Sequence, residues 1–210
     1  MISGNATALI LLLGLSVSAS AAPDPAALAA RLARPAPATT PYVEVRFVDL
    51  LKRPLVLRGA LEYGADGSLV KRVDSPYRET TTVRAGQVTL ERQGKSRREF
   101  ALSRAPELAA FLESFAALLG GDAARLQHTY ALGAEGDDAH WQLSLVPRQP
   151  ALARHLRRIA VDGASQAARC FRVEEASGDA SFLLVEDAAA APLPTPPTRE
   201  ALAALCRAVP

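Results

Sequence analysis

The residues with chemistry to offer are a serine in a glycine-flanked turn, three histidines, two cysteines and a group of arginines. Gly163-Ala-Ser165-Gln-Ala167 approaches the G-x-S-x-G nucleophile elbow, but Ala167 stands where the last glycine is needed. The segment also joins two stretches of strand pattern, whereas an elbow needs a strand followed by a helix. Ser165 is therefore read as a turn residue. His128, His140 and His155 are too far apart for i, i+4 ligation, and neither CxxC nor HExxH occurs. Asp137 and Asp138 beside His140 fit a solvated turn better than a metal site. No glycine-rich phosphate loop opens a helix. The chain is thus read as a non-enzyme, with no catalytic residue, metal or cofactor assigned. Arg154, Arg157 and Arg158 gather near His155. They fit a docking patch for an acidic partner, or basic side chains that discourage pairing at a sheet edge.

Composition narrows the classes further. The chain has 210 residues, 49% hydrophobic and 22% charged, with 24 Lys+Arg against 22 Asp+Glu. That is globular composition, and a formal charge of +2 lacks the electrostatic footprint of a nucleic-acid binder. Ala6 to Ala19 forms an apolar run, shorter than the ~20 residues that span a bilayer. Ala19-Ser20-Ala21 follows as a small-x-small cleavage site, so residues 1–21 read as a signal peptide; a short N-terminal anchor is the other reading. No cysteine stands directly after the run, so there is no lipobox. An exported chain with Cys170 and Cys206 permits one disulfide; two buried free thiols are the alternative.

The elements that must position these residues follow from periodicity. Asp24 caps a short helix, Pro25 to Arg34. From Tyr42 the period becomes two, with strands expected at Tyr42–Val48, Leu55–Tyr63, Leu69–Asp74, Tyr77–Arg84, Gln87–Arg92 and Ser96–Leu102. Ala105 to Gly120 interrupts them. Its stripe of Leu108, Phe111, Leu112, Phe115, Leu118 and Leu119 predicts an amphipathic helix, and Gly120-Gly121 predicts a flexible end. Strands resume at Leu126–Leu132, His140–Val146, Leu156–Asp162, Ala167–Glu174 and Ala180–Glu186, with one helical turn at Pro150–His155. Ala188 to Pro197 reads as an Ala/Pro linker, and Thr198 caps a last helix, Arg199 to Ala208. The fold class is α+β, mainly β: about ten antiparallel strands in an open, curved half-barrel, helices over the concave face. The divisions are 1–21, a half-barrel over 22–187, and linker plus helix over 188–210.

The ordered set of motifs resembles the LolA/LolB family of periplasmic lipoprotein carriers and receptors. Arg58-Gly-Ala-Leu61 with Tyr63 is similar to the family's G-x-L second strand. Gly67-Ser-Leu69, Ser75-Pro76 with Glu79, Ala85-Gly86-Gln87-Val88 and Leu118-Leu119-Gly120-Gly121-Asp122 follow in family order. Trp141-Gln-Leu143-Ser-Leu145-Val-Pro147 resembles its w-x-l-x-L-x-P strand, and Asp162-Gly163 and Ser177-Gly178-Asp179 fit its closing hairpins. Tyr77-Arg78-Glu79-Thr80 departs from it, standing where carriers have an aromatic-rich strand. The resemblance covers about Tyr42 to Asp187. It implies a helical lid over an apolar cavity that binds acyl chains of lipoproteins, or of another lipid such as an aryl polyene. It implies a periplasmic monomer between an inner-membrane donor and an outer-membrane acceptor, with no nucleic-acid partner. It also implies a lid-latching arginine, for which Arg72 and Arg78 both qualify.

Alternation supplies the candidate cavity residues: Val43, Val45, Phe47, Leu55, Leu57, Leu61, Val88, Leu90, Trp141, Leu143, Leu145, Ile159, Val161, Phe171 and Val173, with Phe111 and Phe115 from the helix. The same residues also suit a tightly filled core in a non-catalytic binding or structural module. Periodicity does not separate a filled face from an empty one.

Overall fold

The computed structural model describes residues 23–137 and 139–208, without the side chains of Glu107, Leu108 and Phe111. The expected signal peptide, Asp138 and the Phe111 side chain lie outside the described residues.

Six strands come first: β1 (Ala38–Phe47), β2 (Leu55–Tyr63), β3 (Leu69–Ser75), β4 (Glu79–Arg84), β5 (Gln87–Arg92) and β6 (Arg98–Ala101). Five follow the helical interruption: β7 (Tyr130–Gly136), β8 (Trp141–Pro147), β9 (Leu156–Ala164), β10 (Ala167–Glu175) and β11 (Ala180–Val185). They form one antiparallel sheet, ordered β6-β5-β4-β3-β2-β1-β11-β10-β9-β8-β7, one strand more than about ten. Every neighbour is a sequence neighbour except β1 and β11, whose pairing (Tyr42 with Val185, Val45 with Phe182) joins the two meanders. β6 and β7 are the free edges, so the sheet is open. The connections are tight. Ala85 and Gly86, both at positive φ, turn β4 into β5 in the left-handed conformations that a two-residue hairpin needs.

β1 starts at Ala38, before the expected Tyr42, and contains Pro41. The proline is tolerated because β11 begins to pair only at Tyr42, so Pro41 faces β2 alone.

The helices divide between two faces. On one face lie α1 (Pro25–Arg31), α2 (Pro106–Leu119) and α3 (Ala123–Thr129). Asp24 accepts from the amides of Ala26 and Ala27, capping α1. Where a strand Leu126–Leu132 was expected, α3 takes the first half and β7 begins at Tyr130. Asp122 caps α3 through the Arg125 amide, and helix formers follow it. Gly120-Gly121 is not a free hinge. Asp122 N–H donates to Ala117 O and Gly121 N–H to Leu118 O, a Schellman cap with Gly121 at φ +65°. A Cβ on Gly121 would stand 3.0 Å from Ala33, so α1 packs directly on this end. Arg34 N–H donates to Leu119 O at 2.7 Å and fixes it further.

On the other face lie α5 (Glu186–Ala190) and α6 (Arg199–Arg207). The short α4 (Pro150–Ala153) connects β8 to β9. α5 occupies the start of the expected Ala/Pro linker because Ala188 is buried against the sheet. Thr198 caps α6 through the Ala201 amide. Cys170 of β10 and Cys206 of α6 form a disulfide, Cα–Cα 5.6 Å, closing a separation of 36 residues. No described helix is long and apolar enough to cross a membrane.

Candidate functional site

The sheet has a core on each face, and this decides what the candidate residues do. Val43 and Val45 were expected in the cavity. They lie instead on the α6 side, clustered with Cys170, Phe182, Leu184, Leu202 and Cys206. Phe47 packs edge-on against Phe182 there and also borders the cavity mouth. Tyr42 through Val45 are all buried. With both faces of β1 covered, the alternation carries no polar-out signal, and the apolar phase belongs to the cluster under α5 and α6. The concave phase of β1 is Tyr42, Glu44 and Arg46, which sequence reasoning passed over because two of the three are charged.

The remaining candidates separate along the concave face. Trp141, Leu143, Leu145, Ile159, Val161 and Phe171, on β8 to β10, are each at most 5% exposed and form a filled core with Leu28, Leu32, Phe115, Leu118 and Leu126 of the helices. Phe115 meets Phe171 edge-to-face at 5.5 Å. Tyr130 Oη donates to Ala110 O at 3.1 Å and accepts from Ser114 Oγ at 2.8 Å, and Ser114 Oγ lies 2.6 Å from the same carbonyl, which pins α2 to the start of β7. Burial, only partly opposed by the Ser114 bond, raises the Tyr130 pKa. Trp141 lies across Gly163, where a Cβ would come within 2.2 Å of the ring, and its Nε1–H donates to Ser165 O at 3.0 Å. The glycine and serine that mimicked an elbow therefore seat a tryptophan at the β9–β10 turn. Val88 is buried beside its cross-strand partner Phe100, while Leu90, opposite Thr81, and Leu55, opposite Arg46, are half-buried.

Space remains over β1 to β4 and β11. A cavity of about 470 Å³ is lined by Leu57, Leu61, Leu69, Val73 and Val83 of the sheet, Leu112 and Phe115 of α2, and Val173 and Leu183. Glu44, Arg46, Lys71, Tyr77, Glu79 and Thr81 complete the wall, with Glu175 and Asp179 at the β10–β11 turn. Ligand pockets run roughly 300–1,000 Å³.

The charges are organised. Glu44, 4% exposed, accepts from Arg46 Nε at 2.7 Å and from Lys71 Nζ. Burial alone would raise the Glu44 pKa; Lys71 and Arg46 outweigh it and hold the carboxyl below its ordinary range. Burial lowers the Lys71 pKa, with Glu44 opposing. The Lys71 ammonium also sits 5.3 Å from the centre of the Tyr42 ring. Tyr42 crosses β2 at Gly59, its hydroxyl donating to Arg72 O at 3.1 Å. Burial, then Glu44, raises the Tyr42 pKa.

Neither latch candidate reaches the helices. β3 alternation sends Lys71 to the concave side and Arg72 to the opposite one, where it pairs with Glu62 and Asp74. Arg78 is exposed in the β3–β4 turn. Arg158 pairs with Glu174 at 2.8 Å on neighbouring strands. His140 stands 3.6 Å from Asp162, which is buried under α6 and held by Gln142. Among the described residues no group of three side chains is placed to hold a metal ion.

An open antiparallel sheet with helices across its concave face, enclosing an apolar cavity, defines a class of binding proteins. The chain belongs to the family described as outer membrane lipoprotein carrier protein LolA-like, whose model matches residues 17–209. The family's members are carrier or binding proteins of extracytoplasmic compartments rather than enzymes. Similar solved structures include a LolA superfamily protein from Nitrosomonas europaea (10% identity, TM-score 0.43, covering 78% of this chain and 90% of that one). LprF from Mycobacterium bovis matches at 11% identity and TM-score 0.36, covering 85% and 100%. A DUF1329 family protein from Desulfovibrio piger matches at 12% and 0.36, covering 78% and 90%. No curated protein matches in sequence.

Proposed function

We propose that the protein is a periplasmic carrier that shelters acyl chains in the cavity between α2 and β1–β4. Its cargo is a lipoprotein or another acylated lipid, moved as a one-to-one complex from an inner-membrane donor towards an outer-membrane acceptor. Export by removal of residues 1–21 belongs to the same reading.

The observation that carries it is a cavity of about 470 Å³ walled by aliphatic and aromatic side chains in a LolA-like chain. Each methylene removed from water contributes about 0.8 kcal/mol, so an alkyl chain gains from such a space without any positioned catalytic group. The filled half of the concave face supports the reading too. It holds α2 by Phe115, Ser114 and Tyr130, giving the cavity a fixed wall. The test is gentle purification from the periplasm followed by native mass spectrometry. The expected result is a population heavier than the apoprotein by one acylated lipid or lipoprotein, released by organic extraction. A bare chain under conditions that preserve lipid complexes contradicts the proposal.

A further inference from the structure

A cavity meant only for hydrocarbon has no use for a buried ammonium, yet Lys71 stands in this wall. Alternation places it between Leu69 and Val73 on the concave side of β3, opposite Leu61 and Thr81. Its side chain is 18% exposed, to the cavity it lines. An ammonium carries three donors. Among the described residues Lys71 uses one, to Glu44 Oε2, and rests against the Tyr42 ring. Two N–H groups are left for whatever fills the cavity. Glu44 is also claimed by Arg46, so the three charges together leave one positive charge uncompensated. Glu79, whose field also reaches Lys71, pairs with Arg92 at 3.9 Å, and Asp179 accepts from the Asp49 amide.

We propose that Lys71 anchors the carboxyl-level oxygens of the cargo, either a free carboxylate or the carbonyl of an acyl ester or amide, with the alkyl chain lying against Leu61, Leu69, Val83 and Phe115. This rests on the carrier reading above and names the chemistry it selects. A cationic head offers no acceptor to the two free N–H groups and meets the like charge of Lys71 at contact distance.

Displacement of the neutral probe 1-aminoanthracene from the mature chain tests it, with laurate, methyl laurate and dodecylammonium as competitors at neutral pH. Laurate is expected to displace the probe at least tenfold more effectively than dodecylammonium. Lys71→Met is expected to abolish that preference and Lys71→Arg to retain part of it. Because Lys71→Met leaves Glu44 with Arg46 alone, the trio is then neutral; Lys71→Gln, which removes the same charge but can still donate to Glu44, is the second variant and is expected to lose the preference equally. Methyl laurate matching laurate identifies an ester or amide carbonyl as the anchored group, and a tenfold preference for laurate identifies a free carboxylate. Equal displacement by laurate and dodecylammonium in the wild type overturns the anchor while leaving the carrier intact. So does an undiminished preference in both variants. No displacement by any of the three overturns the carrier reading and the anchor together.

Discussion

Glu44 is a carboxylate with almost no access to water, and its two cations decide whether it is an asset or a burden. Glu44→Gln leaves the Lys71 charge without its partner, and breaking a buried pair typically costs about 3–5 kcal/mol. Urea melts should place the variant in that range, with the Glu44→Gln/Lys71→Met double variant recovering part of the loss. Acid should act through the same carboxyl. Its pKa is lower folded than unfolded, so its contribution is fully present above the ordinary carboxylate range and vanishes as pH falls through the folded-state value. Arg46 and Tyr42, which face it and whose pKa values are raised, keep their protons throughout that interval. Melts between pH 6 and 2, roughly spanning the carboxylate range, should therefore show a shallower loss in Glu44→Gln than in the wild type. Gly163→Ala puts a methyl group into the Trp141 ring and should cost about 1–3 kcal/mol by overpacking, visible in the same melts.

At the scale of elements, strands were readable wherever one face met water. The β2 to β5 hairpins fall within a few residues of their expected limits because polar and apolar side chains alternate and turn residues punctuate them. β1 misled because α5 and α6 bury its second face, α5 packing directly on it, which made Val43 and Val45 look like cavity residues and hid Glu44. α3 was missed because Leu126, His128, Tyr130 and Leu132 mimic period two across a helix–strand junction; Asp122 was the signal that could have shown it. Which concave residues line space and which fill it depends on where α1 to α3 lie, and no single-strand pattern encodes that. The distinction is testable at Leu143. Fully buried beneath the helices, it should not tolerate a charge, so Leu143→Glu is expected to lose several kcal/mol or fail to fold. The disulfide belongs to the opposite face. Replacing both Cys170 and Cys206 by serine should cost about 2–4 kcal/mol, judged by urea midpoint, and leave acyl-probe affinity unchanged.

For the molecule as a whole, one sheet carries two unlike halves on its concave side. The β8–β10 half is solid and holds α2 in place; the β1–β4 half is hollow and holds two cations tied to one carboxylate. Arranging a rigid half beside an open one gives a binding protein a wall that does not have to be rebuilt with each cargo. The central claim is that the hollow half receives an alkyl chain. Thr81 lines it from β4, half-buried, on the concave side opposite Lys71 and Leu90. A tryptophan there suits a strand and puts its ring into the open volume, leaving the filled core untouched. The direct measurement is fluorescence titration of wild type and Thr81→Trp with cis-parinaric acid, alongside thermal melting of both. The account predicts saturable one-to-one binding by the wild type, and at least tenfold weaker binding by a Thr81→Trp variant that melts within a few degrees of it. Equal affinity in the two folded proteins, or no binding by the wild type, would contradict it.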